Sequence, residues 1–433
     1  MDKKILLIFF MLMLFCGNTA AENTDAEIGK SLNEKTADSA DVRRKPPTHF
    51  SYLADVFTGK VLKHDKYVKS WLRGDKTFSV GAEVRYNFLP SDDDAFAEDF
   101  NYPTLFGGVR YGDYNSVTMR KEAGDMWSEN QVSGYTSDMG DVYSVYGGFS
   151  RVLLRRKRWD IDYSLFTGAG YCTHPFSLKD NIDNELIGNH WNIFFGLGLH
   201  ASYYLSPEIA LRAGAELMHH SNGAMDRPNK GANAAGLSVA VIAFPGNTFD
   251  WRTEPAMKTQ KKTFGKSLYA EFALGYALRS LNEEWLWDTE NIKLYPNYSF
   301  QASLMYRYSR RWASGIAVNV DYGDYAWRVK QLERSVGFDY DPSPWSVGFA
   351  ARHETFFHNL SLPVELGGYF YRHIGSNASE LEKPYFEKIG IHYHLPRLGG
   401  LTIGANVKAH LLRADYTEIV VRYPLVIKKQ QHE

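Results

Sequence analysis

The chain has 433 residues, a formal net charge of −1 and a mean hydropathy of −0.37. The near-neutral charge leaves no basic footprint for nucleic acid. Beyond the N-terminus no apolar run approaches the ~18 residues that a membrane helix needs.

Lys3 and Lys4 precede the apolar stretch Ile5–Phe15, and Thr19-Ala20-Ala21 offers small residues for cleavage. This predicts a signal peptide over residues 1–21. A lipoprotein reading of Cys16 is disfavoured by the bulky Phe15 before it. Cys172 is then the single cysteine of the mature chain, which rules out an intramolecular disulfide. Gly-rich phosphate loops, zinc-ligand spacings and Cys-x-x-Cys motifs do not occur in the sequence, so no metal and no cofactor is expected. Residues 22–76 read as a polar N-terminal segment.

From about Thr77 the pattern changes to segments of ~10–15 residues in which apolar residues alternate with polar or small ones. In Phe78–Asn87, the row Phe78, Val80, Ala82, Val84, Tyr86 alternates with Ser79, Gly81, Glu83, Arg85, Asn87. Asn192–Tyr203 and Leu401–Leu411 behave in the same way. A soluble sandwich also alternates, but it rarely buries Glu, Arg and Lys. Long two-sided strands with Tyr and Trp near their ends predict an all-β fold, a transmembrane antiparallel β-barrel with its polar row in the lumen. Glu83, Arg85, Arg212, Glu216, Lys408, Glu418 and Arg422 are then lumenal ion networks.

Connections alternate between short (155–158, 206–207, 310–311, 396–399) and long (115–139, 173–187, 327–341), as periplasmic turns and external loops do. Eight strands are predicted near 77–88, 94–100, 102–114, 140–153, 159–172, 188–204, 208–222 and 232–245. A polar linker at 246–262 precedes about eight more in the second half, 263–433. Two tandem barrels are favoured over one of ~16 strands, because the long linker falls on the short-turn side. Residues 345–394 faintly echo 191–244, with Tyr371-Arg372-His373 near the place of His219-His220-Ser221. Asp92-Asp93-Asp94 reads as a solvated acidic loop, with divalent cation binding as the alternative.

The hairpin at 208–245 carries the chemistry. His219 and Ser221 share a strand face about 6.5 Å apart, the spacing of a general base and a nucleophile. Their row continues through Leu217, Ala215, Ala213 and Leu211, and Asn233 shares its row with Ala235, Leu237, Val239 and Val241. All three polar residues therefore face lipid at one strand end. One reading is a site for a membrane-embedded substrate. The other is that strand ends lie at headgroup level, where polar side chains are inexpensive. The hairpin tip falls on the long-loop side, hence toward the outer leaflet and its lipopolysaccharide. His220 points into the lumen as a hydrogen-bonding residue, and His373 lacks a following Ser.

Residues 219–223 (His-His-Ser-Asn-Gly) and 227–237 (Arg-Pro-Asn-Lys-Gly-Ala-Asn-Ala-Ala-Gly-Leu) resemble the signature of the lipid A 3-O-deacylase (PagL-like, acyloxyacyl hydrolase) family. The likeness covers about 77–245, which would make that span a deacylase-like barrel. The second half resembles the extension of longer family members. The resemblance implies Ser221 as nucleophile, His219 as general base, and Asn222 with Gly223 as oxyanion support. The family's third triad member is a Glu, and its place falls on Asn233. An Asn can hold an imidazole tautomer but cannot stabilise imidazolium by charge, so Asp226 or Glu216 is a candidate helper. The implied activity is an outer-membrane serine esterase acting on an ester-linked, 3-O acyl chain of lipid A. Its partners are the lipopolysaccharide substrate and the outer membrane, with a homodimer as an oligomeric option. The alternatives are a non-catalytic pore or surface protein and an outer-membrane phospholipase.

Overall fold

The computed structural model describes residues 48–64, 66–121, 136–247, 264–376, 384–411 and 413–429. The signal peptide and nearly all of the linker fall outside these residues. The strands in chain order are β1 (Phe50–Val61), β2 (Lys76–Asn87), β3 (Thr104–Asp113), the two-residue pair β4 (Thr118–Met119) and β5 (Ser137–Asp138), β6 (Asp141–Arg155), β7 (Trp159–Cys172), β8 (Trp191–Tyr204), β9 (Ile209–Ser221) and β10 (Ala232–Ala243). The second set is β11 (Ser267–Arg279), β12 (Tyr295–Arg307), β13 (Trp312–Gly323), β14 (Trp345–Phe357), β15 (Leu360–Arg372), β16 (Tyr385–Leu395), β17 (Leu401–His410) and β18 (Arg413–Lys429). Short helices α1 (Lys66–Trp71), α2 (Ala95–Asp99), α3 (Asn282–Trp287) and α4 (Ala326–Ser335) lie in the loops.

Two separate eight-stranded antiparallel barrels close. In the first, β1 pairs with both β2 and β10; in the second, β11 pairs with both β12 and β18. Closure leaves no edge strand with unpaired backbone groups, which is what lets a sheet stand in lipid. No helix among the described residues is long and apolar enough to cross a membrane.

The side-chain rows are inside-out relative to a soluble protein. On the hairpin β9–β10, outward Leu237 and Val239 are 65% and 56% exposed, whereas inward Arg212 and Glu216 are 5% and 6% exposed. Buried charges need partners, and each lumen supplies them. In the first, Arg110 pairs with Asp55 (2.9 Å), Arg212 with Asp162 (2.7 Å) and Glu216 with His200 (3.1 Å). In the second, Arg352 and Arg422 bracket Glu271 and Glu354 at 2.6–2.9 Å, and Lys408 meets Asp321. In the first lumen Phe106, Tyr146, Phe166 and Phe194 also pack ring against ring, with the Arg85 guanidinium over the Phe106 ring at 5.1 Å.

Two elements depart from the sequence reading. The stretch 94–100 is helix α2, because the Asp94 carboxylate accepts from the Phe96 and Ala97 N–H groups and caps a helix start. The missing eighth strand is β1, inside the segment read as polar. Its inward row mixes Leu53, Phe57 and Val61 with Asp55, while Lys60 faces outward. The first barrel therefore begins at Phe50, not near Thr77. The acidic run is engaged within the protein, which favours the loop reading: Asp92 holds His49 and the Leu89 N–H, and Asp94 pairs with His358, at the short-turn end. The internal echo is also out of step, since β14 is the fourth strand of its barrel and β8 the sixth.

The barrels stand side by side with like ends together. At the short-turn end, Arg310 reaches Asp99 (3.0 Å), Arg311 donates to the Asp99 carbonyl (2.6 Å), and Phe357 packs edge-on against Phe88, Phe100 and Phe149. At the long-loop end, Trp285 meets Phe176.

Candidate active site

The ladder sets the geometry. Register places Asn233 directly across from His219, while Ser221 faces Ile193 and His219 faces Phe195 on the other side. All of these point outward. His219 Nδ1 lies 2.8 Å from Asn233 Oδ1, and His219 Nε2 lies 2.8 Å from Ser221 Oγ. The Asn carbonyl can only accept, so Nδ1 carries the proton. Nε2 is then the lone pair that faces the serine hydroxyl. That is the tautomer a general base needs. Ser221 stands opposite Ile193, two residues from Trp191, which packs edge-on against Tyr171 at 5.2 Å, an aromatic pair of the kind that girdles membrane barrels at the interface.

The loop after Ser221 is tied down on several sides. The Asn222 N–H donates to Asn229 Oδ1 (3.1 Å), and Asn222 Nδ2 donates to the Asp226 carbonyl (3.1 Å). The Asn222 backbone N–H is thus spent within the loop, while its Nδ2 carries a second N–H beyond the one given to the Asp226 carbonyl. The neighbouring Gly223 N–H has no acceptor among the described residues. Lys230 and Gly231 donate to the carbonyls of Glu185 and Leu186. Gly231 has φ +75°, and a Cβ there would come within 2.7 Å of His219 Cε1, so only glycine lets the imidazole lie where it does.

The helper carboxylates are not at the ring. Glu216 is lumenal, bound to His200 and Arg110. Asp226 Oδ2 accepts from Asn189 (3.1 Å) and Oδ1 from the Arg227 N–H (2.8 Å). Burial raises the Asp226 carboxyl above its ordinary range, against the pull of those hydrogen bonds. His220 faces the lumen but does not hydrogen-bond through Nδ1 there; it stacks on Phe194 at 4.7 Å. His373 packs on Tyr340. Among the described residues no group of three or more His, Cys, Asp or Glu converges as metal ligands.

Other His–Ser contacts lack the same setting. Ser361 lies 2.8 Å from His394 but also donates to Glu354 and sits inside the second lumen. Ser314 meets His353 through Nδ1 (2.9 Å) at the short-turn end of the second barrel. Asn229 and Gly231 stood within the motif without an assigned role, and the structure supplies one for each.

A model of the lipid A 3-O-deacylase (PagL) family matches residues 107–241, and a model of the acyloxyacyl hydrolase C-terminal domain matches residues 270–426. No curated protein sequence matches the chain. Among solved structures it is similar to a BenF-like porin from Pseudomonas fluorescens, at 10% identity over 87% of this chain and 98% of that one, with a TM-score of 0.21. OccAB1 from Acinetobacter baumannii gives 8% identity over 88% and 97%, with a TM-score of 0.22. These scores are low, and the fold rests on the strand order itself.

Proposed function

The chain belongs to the lipid A 3-O-deacylase (PagL) family, and we propose that it is an outer-membrane serine esterase that removes the 3-O-linked acyl chain of lipid A. The observation that carries this reading is the His219–Ser221–Asn233 relay, hydrogen-bonded end to end on the lipid-facing side of the barrel.

In this mechanism Ser221 Oγ attacks the acyl carbonyl as His219 Nε2 takes its proton. The Gly223 N–H, left without an acceptor in the loop, is the donor available to the tetrahedral oxyanion. Collapse breaks the ester bond, and His219 returns the proton to the sugar oxygen. Water, deprotonated by the same nitrogen, then attacks the acyl-Ser221 ester; its C–O bond breaks, His219 returns the proton to Ser221 Oγ, and a 3-hydroxy fatty acid is released. Asn233 fixes the ring and its tautomer throughout. It contributes no charge to the imidazolium, so turnover is slower than with a carboxylate in its place.

The pore alternative is disfavoured by the two filled lumens. The phospholipase alternative is separated by assay. Purified, folded protein offered lipid A and phospholipid side by side releases 3-hydroxy fatty acid from lipid A and leaves phospholipid intact. Fatty acid released from phospholipid alone would overturn the substrate assignment.

A further inference from the structure

The second barrel touches the proposed catalytic loop directly. Ser280, fully buried just past the end of β11, donates both its N–H and its Oγ to the Ala224 carbonyl, each at 2.9 Å. Arg227 Nη2 returns a bond to the Ser280 carbonyl at 3.3 Å. Thr417 Oγ1, on the outward row of β18, donates to the Gly223 carbonyl at 3.3 Å. These residues lie more than 50 and more than 190 positions from the loop in sequence.

The loop they grip needs holding. Gly223 (φ +63°) and Ala224 (φ +70°) are consecutive left-handed residues, a conformation that alanine adopts only at a cost. Gly223 also lies tight against the second barrel, since a Cβ there would lie 2.2 Å from Thr417 Oγ1. Fixing the carbonyls of Gly223 and Ala224 fixes the backbone torsions on either side of them. Those torsions set the direction of the Gly223 N–H, two residues past Ser221.

We infer that the second barrel is an intramolecular brace for the oxyanion loop, with Ser280 and Thr417 as positioning residues for the reaction carried out by the first barrel. The inference rests on the esterase reading above. It gives the C-terminal half a role in the same reaction, with no second active site.

The test uses the full chain, with heat-modifiable migration on gels as the check of folding. Ser280→Ala keeps the N–H and removes the hydroxyl. Its kcat on lipid A falls about tenfold, the kinetic equivalent of one lost neutral hydrogen bond, with KM unchanged. Labelling of Ser221 by a fluorophosphonate, which places an oxygen in the same oxyanion site, slows in proportion. The pH midpoint of activity does not move, because His219 is untouched. Ser280→Thr restores the rate. Thr417→Val lowers kcat in the same direction and Thr417→Ser restores it, which keeps the test sound should Ser280→Ala fail to fold. Wild-type rates of turnover and labelling in folded Ser280→Ala and Thr417→Val would overturn the brace. So would slower turnover with unchanged labelling. Persisting deacylation in Ser221→Ala would instead overturn the esterase reading itself.

Discussion

At the scale of single residues, Asn233 is the informative position. In a Ser-His-Asp site an acid-to-Asn change costs about 10⁴ in kcat, because the amide leaves the wrong tautomer on histidine. Here the amide carbonyl faces Nδ1, so the tautomer is kept and only the charge is missing. Asn233→Glu is therefore expected to raise kcat. It also moves the acid limb of the pH–rate profile to higher pH, because a carboxylate favours imidazolium and holds the base protonated longer. Asn233→Leu lowers kcat by about 10² or more. A pH series of lipid A deacylation with the three proteins checks both statements. Gly231→Ala is expected to cut kcat at least about tenfold, since the added Cβ both displaces the imidazole and strains a left-handed residue by about 1–2 kcal/mol. Folded Gly231→Ala with wild-type kinetics would contradict that geometry.

At the scale of elements, a period of two made much of this molecule legible. Alternation placed His219, Ser221 and Asn233 in outward rows, and the ladder then brought Asn233 opposite His219. The same logic put Arg212, Glu216, Lys408 and Arg422 inside. It failed at β1, whose inward Leu53, Phe57 and Val61 blur the contrast between rows, and at α2, where an Asp cap outweighs a short alternation. Ser280 and Thr417 carry no local signal, because their role exists only once two barrels dock. The lumenal rows also carry a stability prediction. Arg110→Met leaves Asp55 and Glu216 without their cation in the first lumen. Removing one partner of a buried pair costs roughly 3–5 kcal/mol, to be read as a lower urea midpoint in detergent.

At the scale of the whole molecule, the proposed function and the brace together make the two barrels one enzyme with unequal parts. The first bears the relay; the second presses on its catalytic loop at one end and on α2 at the other. Buried ion pairs occupy both lumens, and packed aromatic rings occupy the first as well, which argues against a solute pore. In planar bilayers the folded protein is expected to give no stable conductance steps. The proposed reaction instead takes place on the outside of the barrel wall, where the His219–Ser221–Asn233 relay faces, and its substrate is an acylated lipid that presents its ester at headgroup depth. The most direct test of that claim is mass spectrometry of lipid A from cells producing folded wild-type protein or Ser221→Ala. The account predicts loss of one 3-hydroxyacyl mass with the wild type and unaltered lipid A with Ser221→Ala. Unaltered lipid A with both, or the same loss with both, would contradict it.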